Sequence, residues 1–287
     1  KNAKKIVVQL LNTSGADMHS YQPTIADMVE IANCDLLIYN GGASQFWVED
    51  ALKAYPNPDR QVLSLMRLFE SEPDRFPTYV QDEDEHEHEE HAHSHGEHDH
   101  EDETDELSLK MSREFCRATA SQLAALNPTA AAAYQTSAAA YIQKLDALDG
   151  KITKLVRQST CKTLIFADRY PFKYFCDDYG LAHEAAFPGC SAETEASFET
   201  IISLADDLKA LPKSRLVTLD GGSAALAETI TRAAELPETQ IVTLYSMQSL
   251  PQTVRALRES GKIQNEREVT YLYLMEQNYE SLARLLS

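Results

Sequence analysis

The stretch Asp82–Glu106 limits everything the rest of the chain can do, because no packed core can be built from it. It contains no large apolar side chain. Seven of the nine histidines lie in it, at His86, His88, His91, His93, His95, His98 and His100, and most remaining positions are Asp or Glu. Neutral imidazole is a common ligand for zinc, copper and nickel, and carboxylates add charge and further oxygen donors. By composition the tract gathers metal cations. The plainer reading is a solvated acidic loop whose histidines are incidental. A chain of many equivalent ligands suits weak, multiple binding, since ordering it costs entropy.

Outside the tract the chain looks like an ordinary globular protein. It has 287 residues, enough for one large or two medium domains, and 43% of them are apolar. Its formal net charge of -19 argues against nucleic acid and against an anionic membrane surface as partners, and suits metal cations. No apolar run is long enough to span a bilayer. The chain opens on Lys1-Asn2-Ala3-Lys4-Lys5, as a processed exported protein or a fragment would. The five cysteines, Cys34, Cys116, Cys161, Cys176 and Cys190, are dispersed and lack C-x-x-C spacing, which excludes a cysteine-rich zinc module.

Short apolar runs alternate with amphipathic segments. Ile6–Leu11 reads as a buried strand, and Thr24 as the cap of a helix with Ile25, Met28, Val29 and Ala32 on one face. Strands are expected at 35–39 and 62–65, with a helix at 45–55 between them and a turn at Gly41-Gly42. Helices follow at 107–126 and 129–157. In the second, Tyr134, Tyr141, Leu145, Leu148, Ile152 and Leu155 recur at helical spacing, over roughly 40 Å. The second half repeats the rhythm. Strands are expected at 163–166, 184–187, 215–219 and 241–244, and helices at 172–179, 197–211, 224–234, 251–260 and 270–286. Strand–helix alternation implies parallel pairing, with ligands at the carboxyl ends of strands. The expected fold class is α/β, with two lobes, each a mostly parallel sheet flanked by helices, joined by a long rigid linking helix. Residues 1–127 form the first lobe, 128–158 the linking helix and 159–287 the second lobe.

His19 lies in the polar loop Asp17-Met18-His19-Ser20-Tyr21-Gln22-Pro23-Thr24, between a strand and a helix that can hold a ligand in place. A lone histidine is otherwise more often structural. Catalytic motifs are lacking. His88-Glu89-Glu90-His91 has the wrong spacing for a metalloprotease helix, and no G-x-S-x-G, P-loop or G-x-G-x-x-G occurs.

The loop around His19 resembles the first metal-binding loop of the solute-binding proteins of zinc and manganese ABC transporters. Cys34–Gly42 with Trp47–Asp50, Phe172–Phe175 with Tyr179-Gly180, Phe187–Phe198, and Thr270–Asn278 are similar to further stretches of that family, so the resemblance covers nearly the whole chain. An acidic His-rich loop in this place is similar to that of its zinc-type members. The resemblance implies two lobes with one metal in the cleft, commonly held by three histidines or by two with carboxylates. His19 matches the first ligand. Where a second histidine is implied, Glu106 runs directly into Leu107-Ser108-Leu109-Lys110. At the third position stands Arg169, which stays protonated and cannot ligate, with Asp168 as its carboxylate neighbour. The fourth falls at Val269, beside Glu268. Glu193 and Glu195, in a loop facing the implied cleft, and Asp220, ahead of Gly221-Gly222, are further candidates, each with a plainer role as a turn residue. His183 reads as a surface residue. A βα unit implied between the first strand and the His19 loop is missing from the sequence.

The resemblance therefore implies extracytoplasmic capture of Zn(II), less readily Mn(II), for an ABC transporter permease, with no catalysis. It implies a cell-surface lipoprotein or periplasmic protein, a monomer, with a lipid anchor N-terminal to Lys1. A second reading is a metal-buffering or surface interaction protein in which the His-rich loop is the functional element.

Overall fold

The computed structural model describes residues 6–11, 21–42, 45–70, 108–187, 196–248, 250–264 and 269–287. Helix α1 (Ile25–Asn33) starts with a reciprocal cap. The Asp27 N–H donates to the Thr24 hydroxyl, and the Thr24 N–H donates to the Asp27 carboxylate at 2.6 Å. Two donors that a helix start leaves open are thereby satisfied. The buried face of α1 is not the expected one. Ile31 is buried and Met28 packs beside it, whereas Ile25 and Val29 are 85% and 53% exposed. The Tyr21 hydroxyl donates to Asp27 at 2.6 Å and fixes that side chain inward. Ile31, four residues on, therefore lies on the inner face.

Strand β1 (Leu36–Tyr39) pairs in parallel with β2 (Gln61–Ser64), in a register running from Leu36 opposite Gln61 to Tyr39 opposite Ser64. Helix α2 (Phe46–Ala54) makes the crossover that a parallel pair requires. Gly41, with φ +109°, lets the chain leave β1 close to Ser64 and Met66, where a side chain would crowd both. The apolar run at 6–11 forms no strand. Among the described residues no strand pairs with it, and Ile6, Val7, Val8 and Leu10 stay exposed, while Leu11 packs beside Ile31 and Leu37. An unexpected short helix, α3 (Leu65–Glu70), follows β2 at once, with the Ser64 hydroxyl accepting from the Arg67 N–H.

Helix α4 (Leu109–Leu126) is capped by Ser108. After a 3-10 turn at Pro128–Ala130 comes α5 (Ala131–Gln158), whose 28 residues span ~42 Å. Its buried stripe is Ile142, Leu145, Leu148, Ile152 and Val156. Of the residues expected on this face Leu145, Leu148 and Ile152 are buried, Tyr141 and Leu155 pack partly buried against the core, and Ile142 and Val156 replace them at its centre.

The second sheet has strand order β4–β3–β5–β6, all parallel: β3 (Thr163–Phe166), β4 (Ala182–Ala185), β5 (Arg215–Leu219) and β6 (Gln240–Leu244). Helices α6 (Lys173–Tyr179), α7 (Phe198–Ala210), α8 (Ala225–Ala233), α9 (Leu250–Glu259) and α10 (Tyr271–Leu286) connect or close it. Strand β4 begins two residues before the apolar run that suggested it. Left-handed Gly180 ends α6, and the Ala182 N–H reaches the Lys162 carbonyl at once. Ala186 and Phe187 are buried beyond the strand end. One core face joins Phe166, Phe172 and Phe175 to Leu145 and Leu148 of α5 and to Met275 and Leu282 of α10. The other packs Ile165 and Leu216 against Leu204 and Leu208 of α7 and Ile230 of α8. A smaller cluster, Leu65, Phe69, Met111 and Tyr174, joins α3, α4 and α6.

Candidate metal centre

The order β4–β3–β5–β6 reverses direction between β3 and β5, which makes the carboxyl ends of those strands the topological switch point where α/β sheets bind ligands. Two of the residues singled out from the sequence lie there. Asp168 follows β3 and Asp220 follows β5. Their carboxylates are engaged in different ways.

One Asp168 oxygen accepts from its neighbour's N–H, that of Arg169, at 2.8 Å, and the other from the Leu219 N–H at 3.3 Å. The Arg169 guanidinium stands 4.0 Å off. The turn that begins at Asp168 is thus drawn onto the end of β5. Gly222 makes the approach possible, since a Cβ there would stand 2.5 Å from the Asp168 oxygen. A carboxylate offers about four acceptor sites, so two N–H donors leave Asp168 capacity for a cation. Its side chain is 16% exposed, reachable yet held.

Asp220 is committed more completely. One oxygen accepts from the Ser246 N–H at 2.6 Å, and the other from the hydroxyl of Thr253 in α9. Ser246 and Thr253 are buried. The loop leaving β6 is pinned a second time by Asn278 of α10, whose amide accepts from the Tyr245 N–H at 2.7 Å and donates to the Tyr245 carbonyl at 2.9 Å. Within this loop Met247 takes a left-handed backbone, φ +65°. That conformation is costly for a side-chain-bearing residue and persists where neighbours over-determine it. The sequence contained no signal for these supports, because Asp220 and Asn278 each reach partners about thirty residues away.

His183 lies on β4, its ring stacked on Tyr170 at 3.7 Å, and Tyr170 is edge-on to Phe166 at 5.1 Å. His19, Glu193, Glu195, Glu268 and the tract histidines His86, His88, His91, His93, His95, His98 and His100 lie outside the described residues. Among the described residues no three His, Cys, Asp or Glu side chains gather as a metal site. Cys34, Cys116, Cys161 and Cys176 are free thiols, and burial pushes the Cys176 thiol up to about 12, so it is inert as a thiolate ligand near neutral pH.

The fold is that of a two-lobed α/β protein with parallel sheets flanked by helices. The sequence model of the ZnuA family (zinc-uptake complex component A, periplasmic) matches residues 3–285, and the chain belongs to that family. It is 24% identical over 275 residues to the zinc-binding lipoprotein AdcA of Streptococcus pneumoniae serotype 4, an alignment covering 96% of this chain and 50% of AdcA. The chain thus spans about half the length of that relative. It is 26% identical over 234 residues to the iron ABC transporter substrate-binding lipoprotein MtsA of Streptococcus pyogenes serotype M1, covering 81% of this chain and 71% of MtsA. The Zn(II)-bound ZnuA-like domain of Streptococcus pneumoniae AdcA has the same fold, with a TM-score of 0.69 at 20% identity over 98% of this chain and 90% of that one. The family is one of metal-binding, solute-binding components of ABC transporters, not of enzymes. No helix among the described residues is long and apolar enough to cross a membrane.

Proposed function

We propose that the chain captures Zn(II) outside the cytoplasm, in the cleft between its lobes, and delivers it to an ABC permease. The observation that carries this is the Asp168 carboxylate, half-satisfied and reachable at the switch point of a zinc-uptake family fold. In this reading His19 supplies the imidazole and Asp168 a carboxylate, and Glu193, Glu195 and Glu268 complete or support the set. Zinc takes such nitrogen and oxygen donors in four-coordinate geometry. Mn(II) is the weaker alternative: carboxylates suit it, but the imidazole of His19 and the histidines of 86–100 suit zinc better. The histidines of 86–100 act as a collector of metal. Relatives named as lipoproteins support a lipid-anchored, extracytoplasmic location.

Calorimetric titration with Zn(II) tests the reading. The parent chain should show one tight site with weaker ones beside it. His19→Ala should cost the tight site at least the roughly 10–100-fold that loss of a mere supporting partner causes. Deleting 83–103 should remove only the weak sites. If the deletion abolishes all binding, the chain is a metal buffer working through its tract. If His19→Ala binds as the parent does, His19 is not a ligand. Affinity should also fall as pH drops through about 6.5, where imidazole protonates.

A further inference from the structure

The cleft reading leaves Asp220 unexplained. It was expected as a ligand, yet both of its oxygens are directed away to the loop between β6 and α9. We propose that Asp220 is a positioning residue for metal capture, acting through the laced ends of β3, β5 and β6, and this rests on the cleft reading above.

The lacing can be followed atom by atom. Asp168 accepts from the Leu219 N–H at the last residue of β5 and lies against Gly222. Asp220 lies between them, directly after Leu219, with its own N–H donated to the Leu244 carbonyl at the end of β6. Its carboxylate then reaches past β6 to the Ser246 N–H and to Thr253 in the first turn of α9. A carboxylate near a helix start is favoured by the open N–H groups there. Three strand ends and one helix are therefore held by two adjacent carboxylate clamps, one of which, Asp168, keeps capacity for a cation. If the Asp220 clamp opens, Ser246 loses an acceptor in a buried place and Met247 loses part of the frame that holds its left-handed backbone. The turn 219–222, against which Asp168 is seated, loosens in consequence. A ligand that must be held within a few tenths of an ångström then pays in affinity.

The test measures Zn(II) affinity with a competing chelator on the full chain, in parallel with thermal unfolding of the metal-free protein. Asp220→Ala should weaken the tight site about tenfold, the lower end of what removing a ligand's supporting partner costs. Thr253→Val, which removes one arm only, should weaken it severalfold. Asp220→Asn should recover much of the loss, because its amide oxygen still accepts from the Ser246 N–H and its NH2 can donate to the Thr253 hydroxyl. Parent-like affinity in both Asp220→Ala and Thr253→Val would overturn the proposal. So would an Asp220→Asn as defective as Asp220→Ala with Thr253→Val normal, since a direct metal ligand behaves that way. Should Asp220→Ala not fold, Thr253→Val and Asp220→Asn decide the matter. Failure of the cleft reading is separate, read from His19→Ala.

Discussion

At the scale of single residues, the start of α1 shows how little of a site is written in one position. Thr24 is recognisable in the sequence as a helix cap, but its counterpart Asp27 and the inward turn of that side chain depend on Tyr21, which lies before the helix. Burial pushes the Tyr21 hydroxyl up to about 12, helped by its bond to Asp27. Burial also pushes the Asp27 carboxyl up, but hydrogen bonds from Tyr21 and Thr24 outweigh it and hold the group below its ordinary value. The two contributions are lost at opposite ends of the pH scale. Tyr21 stabilises fully below about 10, the ordinary tyrosine value, and its share disappears as pH climbs toward 12. The Asp27 share is present above about 3.9 and disappears as pH falls below that. Tyr21→Phe should therefore cost about 1.5–3 kcal/mol at pH 7, the range for a hydrogen bond to a charged group. It should also lose less further stability than the parent between pH 9 and 11. Urea unfolding at those pH values checks both, and an equal alkaline loss in parent and variant would remove Tyr21 from the account.

Among elements, the second half was the more legible. Strands β3 and β5 and helices α7 and α10 follow from local patterns that need no distant partner to be read. The first half was less so, because Ile6–Leu11 is apolar enough for a strand yet has no described ladder to join, and apolar content cannot specify pairing. The candidate site was legible as to place, since Asp168 and Asp220 follow strands in the sequence, but not as to role, which depends on where Leu219, Ser246 and Thr253 come to lie. Glycine shows the same division. Gly150 sits mid-helix in α5 with open space where a Cβ would stand. Gly150→Ala should stabilise the protein by about 0.5–1 kcal/mol, because alanine loses less backbone entropy on becoming helical. Gly222→Ala should do the reverse, since its Cβ must displace the Asp168 carboxylate or the turn itself. Thermal melts of the two variants should shift in opposite directions. A rise for Gly222→Ala would mean that the close approach of Asp168 is not needed.

For the whole molecule, the question is what holds the two sheets in one relation, and the answer converges on the start of α4. Buried Ser108 donates its hydroxyl to Asp178 of α6 at 2.7 Å, and Lys110 reaches the other oxygen of the same carboxylate at 2.6 Å. One turn on, Met111 packs with Leu65 and Phe69 of α3 and with Tyr174 of α6, so an element following β2 and one following β3 meet across α4. Arg113 bridges to Asp146 and Asp149 of α5, and the Tyr179 hydroxyl donates to that same Asp149 at 2.7 Å. Helices α4, α5 and α6 are thus one block, and the acidic tract ends where that block begins. Asp178 is its anchor, only 4% exposed, whereas the Lys110 side chain is 47% exposed. Screening makes an exposed lysine worth at most about 1 kcal/mol, but a buried hydroxyl deprived of its acceptor costs about 1–3 kcal/mol. Asp178→Ala should accordingly destabilise the chain by more than Lys110→Met does. It should also speed amide hydrogen exchange in the first turn of α4 while leaving α8, on the far face of the second sheet, protected. Equal losses in the two variants would show that the charge pair, rather than the buried hydroxyl contact, holds the lobes together. Uniformly faster exchange throughout the chain would show that Asp178 supports global stability and is not a local latch.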